Sequence, residues 1–379
     1  MRRAASPPDV RADLYEPDVI PLALTRTYES GDNLARVFGR GMTHPYAMFL
    51  WSANQYQEAD LILPEGGKIH FVRTSSGTSY ADAIFAHQET LTTSATPTPF
   101  YKSTLTWNGI GWNLKLKNGT VYVFGENAPL QAIRDRYGNT VTITHASGQT
   151  GNITRVTSPS GRWLAFTYDG SNRITQVADE IGRTVVYTYD ANGDLSTVTD
   201  PDSKVTTYTY DTSNRLATIT DGRLNTYLTN QSDTNGRVTQ QTLADTAAIY
   251  QIAYTVDGSG NVTQTDITDP RGNVERLAFN TDHYIVSDTY ALGAAEQRTT
   301  TTERQTGSNL VTASTDGLGR RTEYTYGSSG HVLTVTRLAG TAGAVTTTLT
   351  YEPTFFQLAT VTDPLGHVWT STYDAGGRL

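Results

Sequence analysis

A chain of 379 residues without a single cysteine can build neither a disulfide framework nor a thiolate metal site. Its formal charge of −8, from 29 basic and 37 acidic residues, comes with no basic run and argues against nucleic acid as a partner. No run of about 18 apolar residues occurs, so no membrane-spanning helix is expected, and no signal peptide is visible behind Met1–Pro8.

The length would suit two or three domains, but 33 Gly and 22 Tyr against three Met and five Trp fit a turn-rich β protein. Leu22–Tyr28 reads as a strand followed by the Gly-rich turn Phe38–His44. Leu61–Leu63 and Lys68–Val72 read as a hairpin about Pro64–Gly67. Tyr80–Glu89 is the best helical candidate, yet it is short and better read as loop or strand; Thr92–Pro99 reads as an exposed loop. Trp112–Phe124 is the strongest hairpin, with Asn118-Gly119 at its turn. Residues 1–130 are therefore expected to form an N-terminal β cap that protects the first edge of a repeat array.

Residues 131–379 repeat. The pairs Tyr168-Asp169, Tyr189-Asp190 and Tyr210-Asp211 recur at a step of 21 residues, and Tyr373-Asp374 returns at the end. Aligned on the residue after the aromatic, turns start at Asp169, Asp190, Asp211, Asp233, Asp257, Asn280, Gln305, Gly327, Glu352 and Asp374. Seven of these ten turns carry Gly or Asn three residues on, Gly193 among them, where a positive φ is tolerated. A second series lies between them, at Asp179–Arg183, Asp269–Asn273, Asp316–Arg320 and Asp363–Gly366, with degraded early copies near Asp135 and Ser158. Each unit is then a hairpin added to a growing sheet.

Alternation puts Tyr208 and Tyr210 on one face, with Phe166/Tyr168, Tyr187/Tyr189, Tyr324/Tyr326 and Leu349/Tyr351 in phase. Thr and Val fill the other face. Asn230/Ser232 and Thr302/Arg304 break the aromatic ladder, and those strands are expected to be irregular.

Units of the form Tyr-x-Tyr-Asp-x-x-Gly/Asn-Arg-Leu, with Arg215 in the arginine position, separated by Asp-Pro-x-Gly turns, resemble the YD repeats of the Rhs family. The resemblance covers roughly 130–379. Leu22–Tyr28 with Gly39-Arg40-Gly41 resembles the family's N-terminal region, although Met42 stands where that pattern usually has Trp. It implies a β-shell segment of a polymorphic toxin or surface protein, secreted or at the cell surface. The implied partners are further YD repeats and a C-terminal effector domain absent from this chain. Asp363-Pro364-Leu365-Gly366 resembles the family's core-closing motif, but His367-Val368-Trp369 continues into an ordinary unit, so a plain turn is the better reading.

No catalytic constellation, cofactor motif or metal set emerges. The carboxylates sit at turn starts, and the seven His, including His44 beside Gly39–Gly41, are scattered. Asp190–Asp194 lacks the later Glu of a calcium loop. The fold expected is thus all-β: about ten hairpin repeats in an open, curved, spiralling sheet, a partial shell with an N-terminal β cap. Ten units of two strands at about 4.8 Å give a perimeter of roughly 100 Å and a tube about 30 Å across. Its bore of roughly 20 Å cannot hold a folded 100-residue domain, about 34 Å wide, so an exposed C-terminal edge at Thr370–Tyr373 is expected. Two alternatives stand beside this reading. Exposed tyrosines could bind cell-surface glycans, against burial of the same rings. Two units, about 42 residues, could also make one blade of a β-propeller scaffold or enzyme.

Overall fold

The computed structural model describes residues 12–64, 66–88, 98–126, 129–243 and 248–379. Met1–Pro8, Glu65, Glu89 and most of Thr92–Pro99 lie outside them. The structure is all-β, and its dominant feature is one antiparallel sheet of 29 strands, from Phe49–Trp51 to Val368–Thr370. Between the two end strands, every strand pairs with its predecessor and successor in the chain, with no crossover among the described residues. That order follows from the sequence: β-branched and aromatic runs of five to nine residues alternate with tight turns, so each hairpin finds its partner locally.

The sheet is open. Val368–Thr370 pairs only with Leu358–Thr362 among the described residues. Phe49–Trp51 pairs with Glu58–Ile62, and its other side meets the chain at a single bridge, Phe49 opposite Pro129, beside a bond from Leu130 N to Met48 O (3.2 Å). One uninterrupted sheet excludes propeller blades. The expected hairpins at 58–73 and 111–125 are present, and Ile84–His87 is a strand. Leu22–Tyr28, expected as one strand, is two: Leu22–Leu24 pairs with Leu14–Glu16, and Thr27–Tyr28 with Met42–Thr43. Neither belongs to the main sheet, because residues 12–46 form an arm that lies across its face.

The expected alternation holds, with a regular interruption. Registers place Phe166 opposite Val177, Tyr187 opposite Val198 and Tyr208 opposite Ile219 on the apolar face. One residue before each YD-type turn the ladder slips by a β-bulge, as at Thr209/Tyr210 and Thr325/Tyr326. The opposite face carries threonine hydroxyl pairs such as Thr209–Thr218 (2.6 Å) and Thr350–Thr360 (2.7 Å). Strands Thr226–Ser232 and Arg298–Arg304 are not irregular: each is seven residues long and carries the same bulge as its neighbours.

One contiguous core on the apolar face joins Leu61, Phe71, Phe85 and Leu105 to Leu164, Tyr187, Tyr208 and Leu228, together with Leu22, Leu24 and Phe38 of the arm. A flat sheet could not bring those strands to a single arm, so the sheet curls with its apolar face inward.

The curl completes a revolution. Hairpin turns fall alternately on two rims, and three contacts join one rim to the other. The Tyr101 hydroxyl donates to Ser328 O (3.3 Å). Phe355 packs on Gly119, where an added Cβ would lie 2.8 Å from its ring. The Tyr137 hydroxyl donates to Gly377 O (3.2 Å), and Arg136 and Arg378 stack on the rings of Phe355 and Tyr137. The paired turns are 21 strands apart along the sheet in all three, while Arg136 on Phe355, like Lys117 Nζ donating to Ser329 O (3.4 Å), reaches the neighbouring turn 19 strands away. The number must be odd, since only then do opposite rims meet, and at about 4.8 Å per strand it gives a perimeter of roughly 100 Å.

Candidate functional site

The repeat turns are built by their first residue. Asp211 N donates to Arg215 O (2.9 Å) and Asn214 N to Asp211 O (3.0 Å). Asp211 Oδ1 accepts from the backbone N–H groups of Ser213 (2.8 Å) and Arg215 (3.0 Å), and Oδ2 from Arg215 Nε (2.8 Å). The third residue on is left-handed: φ is 58° at Asn214, 61° at Asn172 and 84° at Gly193. Asp169 and Asp233 repeat the arginine contact, and Asp190 and Asp374 the backbone bonds. Burial, the largest influence, would raise the Asp169, Asp211 and Asp233 carboxyls, but these bonds together hold them below the usual range. Three of the roughly four acceptor sites of the Asp211 carboxylate are thus taken up by its own turn.

The tyrosine of each pair ties its unit to the preceding one. Pairing between the strand that carries Tyr210 and the unit before it stops at Thr197 opposite Thr207, beyond which the Leu195 carbonyl has no registered strand partner on that side. The Tyr210 hydroxyl reaches it (3.0 Å). Tyr189 does the same to Ile174 O (2.5 Å), Tyr326 to Val311 O (2.7 Å) and Tyr373 to Leu358 O (2.7 Å), and Tyr168 bonds the Ile153 carbonyl. Where the aromatic is missing, another donor serves: Asn230 Nδ2 to Leu216 O (3.3 Å) and Arg304 Nε to Ile285 O (3.0 Å). That substitution explains why those strands stay regular. Tyr351 instead packs against His331, with ring centroids 4.8 Å apart and the planes tilted by 43°.

The arm is held by charge and aromatic contact. Arg26, largely buried, pairs with Asp13 (2.6 Å) and donates to the Tyr208 hydroxyl (3.0 Å), while the Tyr187 hydroxyl donates to Asp13 (2.8 Å). Burial, the largest single influence, would lower the Arg26 pKa, but Asp13 and its neighbours outweigh it and hold the guanidinium charged. Phe38 sits 4.8 Å from the Tyr187 ring. His44, packed against Phe38, Tyr46 and Phe166, accepts from Tyr46 N (3.2 Å), and burial pushes its pKa down to about 4. Ile174 N donates to Val37 O (2.8 Å), Leu216 N to the Tyr28 hydroxyl (3.0 Å) and Ser160 N to Asp18 (2.9 Å).

One repeat is altered to receive it. Asp194 stands where sister turns have Arg173, Arg215 and Arg237; it is 1% exposed, faces Arg40 Nε (3.7 Å) and N (3.3 Å), and burial raises its pKa. Gly39 (φ 94°) approaches so closely that a Cβ would lie 3.0 Å from Gly193 O. The groove left between arm and turns, about 640 Å³, is lined by Arg36, Arg40, Arg173, Asn152, Asn192 and Asp194. Each of its arginines already faces a carboxylate: Asp32, Asp194 and Asp169 respectively. Among the described residues no group of three His, Asp or Glu could hold a metal ion, and no helix is long and apolar enough to cross a membrane.

Models of known families match these same turns. The RHS Repeat matches residues 149–184, 168–204, 189–226 and 357–379. This chain carries Rhs repeats. A domain of unknown function (DUF6531) matches residues 9–71 of the Rhs-repeat chain, over the arm and the first strands. No curated protein matches it. Among solved structures, a TcdB2–TccC3–Cdc42 crystal structure is 11% identical with a TM-score of 0.46, covering 91% of this chain and 22% of that one. The Photorhabdus luminescens Tc holotoxin pore carrying a TccC3 mutation is 12% identical with a TM-score of 0.42, covering 94% and 26%. A porin-like protein from Bacteroides uniformis is 14% identical with a TM-score of 0.21, covering 57% and 91%. The Rhs-repeat chain thus spans about a quarter of those toxin chains.

Of the tyrosines read from the Rhs-repeat pattern, Tyr208 is buried beneath the arm, as is Tyr187 above it in the ladder; Tyr168, Tyr189 and Tyr210 are half-buried with their hydroxyls engaged. These rings present no open sugar-stacking platform. What the pattern did not reveal is the arm's docking; its one legible signal was Asp194 in an arginine position.

Proposed function

We propose that this Rhs-repeat protein is a non-enzymatic shell segment, the repeats of residues 131–379 continuing the wall that the strands of residues 49–130 begin, that encloses or presents a separate C-terminal domain. The observation carrying the reading is the inward-curled sheet with a 21-strand revolution whose bore is filled by residues 12–46 over the units up to Leu228. Beyond Leu228 the inward face has no arm over it: Tyr254, Leu277, Tyr324, Val335 and Leu349 are only partly buried. A bore of roughly 20 Å is too narrow for a folded 100-residue domain of about 34 Å. The chain therefore acts as a plugged end, and enclosure requires further repeats that widen the spiral. A toxin-related, secreted or cell-surface setting fits the repeat family.

Protease protection tests this. A folded reporter of about 100 residues joined directly after Leu379 should be cleaved as fast as the free reporter, and one joined after an added revolution of repeats should be cut more slowly. Equal cleavage in both fusions would overturn enclosure.

A further inference from the structure

The groove between the arm and the YD turns, about 640 Å³, lies within the size range of ligand sites, and its wall is rich in uncommitted donors. Arg40 Nε stands 3.7 Å from Asp194 Oδ1, beyond hydrogen-bond reach, and its guanidinium, 31% exposed, bonds nothing else among the described residues. Asp194 is a weak counterion: its Oδ2 is buried without a partner, and burial raises its pKa, which favours the neutral acid. Arg36 meets Asp32 through Nε (2.7 Å), and its two terminal nitrogens make no hydrogen bond among the described residues. Arg173 faces Asp169 with Nε and Nη2 (both 2.8 Å) and keeps Nη1 beside Gly193. The side-chain amide of Asn192, an exposed turn residue, is likewise unengaged among the described residues. The later revolution meets the rim of the second turn series, as Gly377 meets Tyr137, so repeats beyond Leu379 would advance over that rim and leave these YD turns uncovered.

We propose that this groove binds an acidic peptide, with its carboxylates on Arg40 and on the open edges of Arg36 and Arg173. A guanidinium fork matches a carboxylate in shape and charge. Each arginine keeps a fixed carboxylate at its back, so the positive charge is spread along the groove and not gathered at one point. That suits single charges carried along a chain better than one phosphate dianion. The Asn192 amide pairs with a peptide backbone, and Val37, Ala47 and Pro64 give an apolar wall for the aliphatic stems. A bound carboxylate gives Arg40 the counterion that Asp194 supplies only in part. The site does not depend on enclosure, since it is built from the arm, the first strands and the turns of residues 152–194.

Fluorescence anisotropy of a labelled tetraglutamate peptide, titrated with the full chain at low ionic strength, tests the proposal. Binding should saturate, and a tetraglutamine peptide should bind about tenfold more weakly or worse. Arg40→Gln should raise the dissociation constant about tenfold or more. Arg276→Gln, which alters a wall arginine bonded to Asp266 (2.8 and 2.7 Å), should leave it unchanged. Asn192→Asp adds an anion at an exposed position without removing an arm contact, and it should weaken binding likewise. Hydrogen exchange at Ile174 N, bonded to Val37 O, shows that the arm stays docked in that variant. Absence of saturation, equal affinity for the tetraglutamine peptide, or wild-type affinity in both Arg40→Gln and Asn192→Asp would each overturn the proposal. So would equal weakening in Arg276→Gln, or displacement by inorganic phosphate as effective as that by unlabelled peptide.

Discussion

Arg26→Met isolates the tie between arm and repeats. Arg26 and Asp13 are 15% and 10% exposed, and removing the guanidinium leaves Asp13 buried with only the Tyr187 hydroxyl for company. Breaking a buried pair from one side costs about 3–5 kcal/mol. At about 1.4 kcal/mol per decade, that is a hundred- to several-thousandfold increase in the opening of the arm. A melting curve would blur the effect, because a repeat array does not unfold in two states. Hydrogen exchange resolves it: protection should fall at Ile174 N, bonded to Val37 O, and at Leu216 N, bonded to the Tyr28 hydroxyl. Amides of strands Val332–Arg337 and Val345–Tyr351, which lie outside the core shared with the arm, serve as the internal reference and should not change. Asp13→Leu with Arg26→Met should recover most of the loss, since an apolar pair carries no buried charge. Equal deprotection across both regions, or a double variant as weak as the single, would refute the reasoning.

Tyr210→Ala, which removes a half-buried ring and its bond to Leu195 O, should destabilise its unit by about 3–5 kcal/mol, against about 1–3 for Asp211→Ala, as measured by local exchange. The arm should loosen on acidification. The folded pKa of His44 lies near 4, below the unfolded value of about 6.5, so its contribution is complete above 6.5 and falls away towards 4, by about 3 kcal/mol; His44→Phe should flatten that window in a pH series. The turn aspartates have depressed values, so they contribute above about pH 4 and fail only below it as they protonate. Gly39→Ala should displace Arg40 from Asp194, and protease sensitivity confined to residues 30–45 would report it.

Much of the wall was legible before the structure. The 21-residue step, the alternation and the Asp-x-x-Gly/Asn signals specify strands and turns because they act within a dozen residues. Two turns of the second series, Asp200–Lys204 and Asp221–Asn225, escaped because Ser203 and Leu224 stand where glycine would. The bulge before each tyrosine and its reach to the previous unit were not legible, since they depend on where pairing between units stops. Neither was the regularity of the strands holding Asn230 and Arg304: an aromatic pattern records ring shape, while the structure uses the donor. The arm's contacts, such as Arg26 with Tyr208, span more than 150 residues and leave no periodic trace.

The 21-strand revolution couples sequence length to angular position. Each hairpin advances the wall by about 34° around the axis, two strands of 21. Inserting or deleting one repeat would leave every local turn intact, yet it would rotate all later turns past their rim partners. Phe355 would no longer face Gly119, nor Gly377 face Tyr137. Repeat number in this part of the chain is therefore constrained by phase, as teeth are in a gear, and a change in length is tolerated only where the opposing rim offers an equivalent notch.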